Sequence, residues 1–407
     1  MPDSSTDPQA RSSSQARFAA VRAHSLALAA PLSPEDQGLQ SMPEASPTKW
    51  HLAHTTWFFE AVVLCPHGRG YEPFDARYFR LFNSYYESLG PRHPRPQRGL
   101  LSRPSAQQVL EYRAAVDRAM LDFLRDADAD SLAAAMPLIE LGLHHEQQHQ
   151  ELLLTDIQHA LSLNPLQPAY HEAAVQAGSS RLEGWLERPG GDASVGHDSG
   201  AGFAFDNESP RHRVRLQAHA LARRLVSNAE YRDFIADGGY RRPTLWLSDG
   251  WAAVQAQDWT APLYWTLDGD TPVQVFTLRG NQPWRPDAPV LHLSFYEAAA
   301  YAEWAGARLP TEFEWEAAVR QAAPGALDQC FGVAWQWTRS SYDPYPRFRP
   351  MAGAVGEYNG KFMVGQLVLR GSSLATPPGH ARTSYRNFFP PATRWQFTGL
   401  RLARDLP

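Results

Sequence analysis

Cysteine is almost missing from the sequence. Cys65 and Cys330 are the two such residues in a chain of 407, and they stand far apart. That excludes a disulfide framework and makes a reducing cytoplasm the expected compartment. Long hydrophobic runs are missing too. No stretch approaches the roughly eighteen apolar residues of a membrane-crossing helix, and the opening MPDSSTDPQARSSSQAR lacks the apolar centre of a secretory signal. Nor is there an excess of basic charge. Lys plus Arg number 38 against 43 Asp plus Glu, a net −5, so the electrostatic footprint of a non-specific nucleic-acid binder is lacking. Internal repeats and heptads are not evident. What the chain has in quantity is Trp (13), Pro (33) and His (15), with 43% hydrophobic residues. These are enough for real cores and point to a loop-rich fold packed on aromatics, not to disorder. The length accommodates two domains of ordinary size.

Residues 1–16 read as a disordered tail. A helical pattern covers 19–28. A second helix is predicted from Ser46-Pro47, with Ser as N-cap and Pro in the first turn, through WHLAHTTWFFEAVVL. Segment 65–104 reads as a long structured loop. Ser105 should cap a helix to about residue 127, with Val109, Leu110, Val116, Met120, Phe123 and Leu124 in register. A further long helix spans 131–162. Four helices joined this way suggest a bundle, in which metals sit between facing helices. After Pro168 the periodicity fades into short apolar runs broken by Gly and Pro. Helices are predicted there only at 227–236 and 294–304. The expected organisation is a tail (1–16), a helical domain (17–168) and an irregular α+β domain (169–407).

The segment richest in chemistry is His144-His145-Glu146-Gln147-Gln148-His149-Gln150-Glu151. His145 and His149 are four apart on one helical face, the spacing that lets two imidazoles reach one metal. His144 has Gln148 at the matching position. Apolar stretches on both sides, PLIELGL and ELLLTDI, argue against a wholly solvated face. The run also matches the H-E-x-x-H pattern, in which Glu146 would be the general base of a zinc hydrolase. Trp50-His51-Leu52-Ala53-His54, on another helix, offers a third ligand; spacing leaves His51 and His54 both open. Imidazole suits Zn, Cu, Fe or Ni alike.

Taken together, SPTKWHLAHTTWFFE, LFNSYYE, GPRHPRPQRGLLSRPS, LGLHHEQQHQELLLTDIQHAL, GARLPTEFEWEAA and YRNFFPP with WQFTGLRLAR resemble the EgtB family of ergothioneine biosynthesis over roughly residues 40–405. These are nonheme-iron sulfoxide synthases. The resemblance implies an α+β architecture: a DinB-like four-helix domain followed by a domain of the formylglycine-generating-enzyme type, a C-type-lectin-like fold. It implies Fe(II) held by His54, His145 and His149, with His51 a flanking residue. It implies hercynine, a thiol and O₂ as substrates, and a hercynyl sulfoxide as product. Three neutral imidazoles would leave positions for substrate imidazole, thiolate and O₂.

Further roles follow from the same resemblance. Gln148 would hydrogen-bond the substrate imidazole, its amide serving either tautomer. Tyr85 or Tyr86 would supply a proton or hydrogen atom during oxidation, as in the cysteine-using branch. Arg95 and Arg98 would clamp the thiol's carboxylate. Asn387 would take the hercynine carboxylate, with Phe388 and Phe389 beside the quaternary ammonium. Phe389 stands where the γ-glutamylcysteine-using branch has an Asp, which favours cysteine. Cys330 alone cannot supply the cysteine pair of a formylglycine-generating enzyme. Two departures stand out: Gln336 in GVAWQWT where the family commonly has Glu, and Ser372 in RGSS where a second Gly is usual, a change expected to alter a turn. Competing expectations are a selenium-transferring relative, γ-glutamylcysteine as thiol, a zinc hydrolase and a non-catalytic binding module.

Overall fold

Ser105 and Gln108 bond each other's backbone N–H groups in a reciprocal cap, and helix formation follows directly from it. In the computed structural model, which describes residues 8–174 and 176–407, that helix is α5 (Ala106–Asp126). It buries Val109, Tyr112, Arg113, Val116, Met120, Phe123 and Leu124 at three- and four-residue spacing. The others in this half are α1 (Pro8–Ala29), α2 (Thr48–Phe58), the short α3 (Cys65–His67) and α4 (Tyr78–Phe82), and the long α6 (Ala129–Ser162), capped by the Asp128 side chain on Ser131 N–H. Helices α1 and α2 each pack on α5 and α6, giving the four-helix core.

Two expectations need correction here. The tail expected over 1–16 is helical from Pro8; residues 1–7 lie outside the described residues. Arg11 donates to the carbonyls of Leu124, Arg125 and Ala127, and Gln15 to that of Leu121. The polar start of α1 therefore closes the open C-terminal carbonyls of α5, an order that hydrophobic periodicity does not register. Nor does Ser46 cap α2; Pro47 occupies the N-cap. The Ser46 hydroxyl accepts from Arg98, and its N–H donates to Asp156.

Beyond Phe58 the helix widens into π-type turns over Phe59–Leu64. Such turns are frequent at functional sites. Facing them on α6 is Gly142, where a Cβ would stand 2.7 Å from Phe59 and 2.9 Å from Phe58. Glycine here allows α6 to approach closely. Buried Glu60 anchors the following loop by accepting from Tyr71 Oη, Phe74 N–H and Tyr112 Oη. Among the described residues no helix is long and apolar enough to cross a membrane.

The chain divides into two units, Met1–Tyr170 and His171–Pro407. In the second, the described strands are β1 (Trp185–Arg188), β2 (Gly191–Val195), β3 (His212–Leu216), β4 (His219–Ala222), β5 (Trp265–Asp268), β6 (Thr271–Thr277), β7 (Gly280–Pro283), β8 (Ala334–Ser341), β9 (Leu367–Ser372), β10 (Asn387–Phe389), β11 (Thr398–Gly399) and β12 (Ala403–Asp405). They form small sheets ordered β1-β4-β12, β2-β3, β5-β6-β7 and β10-β9-β8-β11, antiparallel except for β8 with β11. The predicted helices appear as α7 (Asn228–Ala236) and α9 (Phe295–Trp304), each with a Ser-to-Glu reciprocal cap. Two more, α8 (Ser248–Gln257) and α10 (Glu312–Gln321), were not expected. The interior is aromatic and ionic: Trp315, Trp335 and Trp337 are buried with Arg370 and Arg386, which pair with Glu312 and Glu316. The architecture is α+β.

Candidate metal centre

His54 points from α2 toward α6. Its Nδ1 lies 2.6 Å from the Phe82 carbonyl. A carbonyl can only accept, so Nδ1 carries the proton and Nε2 is left with its lone pair. That nitrogen lies 3.1 Å from Nε2 of His145. With His149 they form a group whose ligand atoms lie within 4.8 Å of one another. His54 and His145 are fully buried, while His149 keeps some exposure. Burial is the main reason all three resist protonation: His145 is pulled down to about 3, and His54 and His149 also lie well below the usual imidazole value. Neutral imidazoles with converging ring nitrogens are the donor set that a borderline metal ion requires, so the residues fit such a group.

His54 is stacked between aromatic rings, 4.6 Å from Trp50 and 5.6 Å from Trp57, while Phe58 packs 4.8 Å from His145. His51 is not part of the converging trio. Its ring meets the far side of His149, Nδ1 to Nδ1 at 2.9 Å. His144 turns elsewhere, to Arg17 and Glu140.

Glu146 does not face the trio. Completely buried, it accepts from Arg22, Arg113 and Ser25. Burial pushes its pKa up, but Arg113 and Arg22 outweigh burial and hold it at about 2. A carboxylate committed to two guanidiniums is a poor general base, which removes the geometric support for a zinc hydrolase.

The sequence-predicted arginines separate. Arg95 is exposed and donates to the Glu44 carbonyl. Arg98 is buried, its guanidinium 3.4 Å from the centre of the Trp50 ring, with Ser46 Oγ at 2.9 Å and Ser84 Oγ at 3.2 Å. No carboxylate pairs with it among the described residues, and its Nε has no partner. Burial first, then Arg95 and Arg92, pulls its pKa down to about 8. A buried guanidinium short of a counter-ion is a receptor for an anionic group. Tyr86 is enclosed against Trp57, with its backbone held by the Asn83 side chain. Tyr85 is half-buried, 4.8 Å from Tyr86. Gln148, also half-buried, precedes His149 on α6.

Residues 17–153 match the DinB superfamily model; 171–328 and 324–406 match the sulfatase-modifying factor enzyme 1-like domain. A hercynine oxygenase of Mycolicibacterium smegmatis is 34% identical over 418 residues, covering 90% of this chain and 93% of that one. The chain belongs to the hercynine oxygenase family. It is an oxidoreductase. A hercynine oxygenase of Mycobacterium tuberculosis is 33% identical, covering 89% of this chain and 92% of that one. By contrast, a formylglycine-generating enzyme of Streptomyces coelicolor matches over 171 residues, 40% of this chain, at 32% identity.

Within the second unit of this hercynine oxygenase relative, Asn387 opens β10. Its Oδ1 accepts the Phe388 N–H at 2.9 Å, and its amide NH₂ has no partner among the described residues. Phe388 is stacked on Tyr342, ring centres 4.0 Å apart, which assigns one of its faces to packing. Phe389 is half-buried. The two departures from the family pattern are absorbed locally. Gln336 Oε1 accepts from Trp315 Nε1 and Arg401 Nε, while its Nε2 donates to the carbonyls of Gln329 and Cys330. A carboxylate could not make the last two bonds. The left-handed backbone lies at Gly371 (φ +97°), where a Cβ would come within 2.4 Å of the Cys330 carbonyl. Ser372 is an ordinary strand residue whose hydroxyl accepts from Gly332 N–H, so the turn expected to change does not depend on it.

Sequence reasoning missed Asp156, Trp50, Trp57 and the Arg22–Glu146–Arg113 cluster. One signal was available: Asp156 lies seven residues beyond His149, two turns along the same face of α6.

Proposed function

We propose that the protein joins hercynine to cysteine with O₂, forming a C–S bond at the imidazole carbon and oxidising the sulfur to the sulfoxide. The observation that carries this reading is the convergence of His54, His145 and His149 in a chain of the hercynine oxygenase family. We assign these residues to Fe(II), which when bound supplies O₂ activation and a site for the thiolate. The overall change balances. The imidazole C–H and the thiol S–H are lost, one oxygen atom ends on sulfur, and the other leaves as water with both hydrogens.

The chain's own groups bind and orient. Arg98, already buried and lacking a carboxylate, takes the carboxylate of the thiol. Tyr85, which retains open surface, delivers the proton, while Tyr86 packs beneath it. Gln148 orients the hercynine imidazole; the amide NH₂ of Asn387, without a partner among the described residues, suits a substrate carboxylate. Phe389, where the glutamyl α-amino group of γ-glutamylcysteine would need an acid, supports cysteine. We assign the iron to the helical domain (17–168). We place the reaction in the cytoplasm, where free Cys65 and Cys330 stay reduced.

The test is anaerobic loading with Fe(II), addition of hercynine and cysteine, then O₂, with uptake and product mass recorded. Hercynylcysteine sulfoxide is the expected product. Turnover with γ-glutamylcysteine or a selenium donor in place of cysteine would reassign the donor, and absence of iron binding would overturn the proposal.

A further inference from the structure

We propose that His51 and Asp156 form a positioning relay behind His149, fixing the tautomer that turns its Nε2 toward the metal. The inference rests on the assignment of His149 as a ligand. The chain of contacts starts at a group whose role is unambiguous. The Asp156 carboxylate can only accept; its Oδ2 takes the Ser46 N–H at 2.8 Å and lies 3.1 Å from His51 Nε2. His51 Nε2 therefore carries a proton. In a neutral imidazole the other nitrogen, Nδ1, is then bare. That nitrogen lies 2.9 Å from His149 Nδ1, so His149 Nδ1 must donate to it. The proton of His149 is thereby placed on the side away from the trio, and Nε2 is left to bind.

His54 reaches the same state by a different route, through the Phe82 carbonyl. The relay sits where the sequence periodicity would put it. His51 is one turn before His54 on α2, and Asp156 is two turns beyond His149 on α6. Both are buried, at 3% and 5% exposure, so water does not compete for these bonds. A carboxylate–imidazole pair behind a ligating histidine fixes its ring and raises its basicity, and losing such a partner typically costs about 10- to 100-fold in metal affinity.

The direct test uses the unaltered protein, labelled with ¹⁵N-histidine and loaded with zinc as a diamagnetic probe. Long-range ¹H–¹⁵N correlation should show a protonated Nδ1 on His149, and on His51 a bare Nδ1 with a protonated Nε2. A bare Nδ1 on His149 would overturn the relay. The second test is Co(II) affinity and absorption. His51→Leu should weaken binding about 10- to 100-fold, while His51→Asn, which keeps an acceptor facing His149, should recover much of the loss. Asp156→Leu should also weaken binding, because it removes the acceptor that holds the proton on His51 Nε2. His51→Leu with wild-type affinity and an unchanged Co(II) spectrum would refute the relay alone. Wild-type Co(II) binding by His54→Ala and His149→Ala would instead refute the metal assignment itself.

Discussion

Replacing Glu146 by Gln separates a structural carboxylate from a catalytic one. In the structure Glu146 is the shared counter-ion of buried Arg22 and Arg113. Breaking a buried pair leaves uncompensated charge and costs about 3–5 kcal/mol. An independent route gives a similar figure. The carboxyl is held at about 2 against its ordinary 4.5, and at 1.36 kcal/mol per unit this is about 3 kcal/mol. For a domain of this size the unfolding midpoint should fall by roughly 6–20 °C at pH 7. The pH dependence has a definite sign. A depressed carboxyl contributes its full stability above pH 4.5 and loses it as the pH falls toward 2. Because Gln resembles the protonated acid, the gap between wild type and Glu146→Gln should close over that interval. Thermal unfolding of the metal-free proteins followed by circular dichroism measures both effects. A variant as stable as wild type at pH 7, yet without turnover, would refute the structural role and revive Glu146 as a hydrolytic base.

Arg98→Met should raise KM for the thiol roughly 10- to 150-fold, the equivalent of one lost charged hydrogen bond, and leave KM for hercynine unchanged. Equal losses for both substrates in steady-state kinetics would contradict the carboxylate assignment. Gly142→Ala should destabilise the protein by about 1–3 kcal/mol through collision with Phe58 and Phe59. Since Phe58 packs on His145, it should also weaken metal binding; titration with Co(II) and urea unfolding would detect both.

Much of the helical half was legible because caps and periodicity are local. Ser105 with Gln108, and the buried series from Val109 to Leu124, specify α5 without help from elsewhere. The HHEQQHQE run was legible only in part. Two pairs at i, i+4 are interleaved in it, 145 with 149 and 146 with 150. The first pair converges with His54. The second faces α1, where Glu146 meets Arg22 and Ser25, and Gln150 meets Val21 and Ser25. Spacing alone cannot say which pair converges with His54 and which meets two arginines, because α1 and α5 are remote in sequence from it. The same limit applies to Arg95 and Arg98. Both lie in one short basic segment, and their separation into exposed and buried follows from the Trp50 ring on another element. In the second unit α8 and α10 escaped notice because Gly and Trp in SDGWAAVQAQ obscure a helical period, and EFEWEAAVRQ buries Glu312 and Glu316 against Arg370, far along the chain.

Trp50 has a spectroscopic consequence. Its ring carries the Arg98 guanidinium at 3.4 Å and the His54 imidazole at 4.6 Å. An indole's emission responds to charge close to its plane, and this one adjoins both the group assigned to an anionic substrate and a group assigned to the metal. Arrival of a carboxylate at Arg98 offsets a positive charge on the ring; arrival of a cation at His54 adds one. The two ligands should therefore shift the same fluorophore in opposite directions, and a protein with its other tryptophans silenced would report which of them binds first.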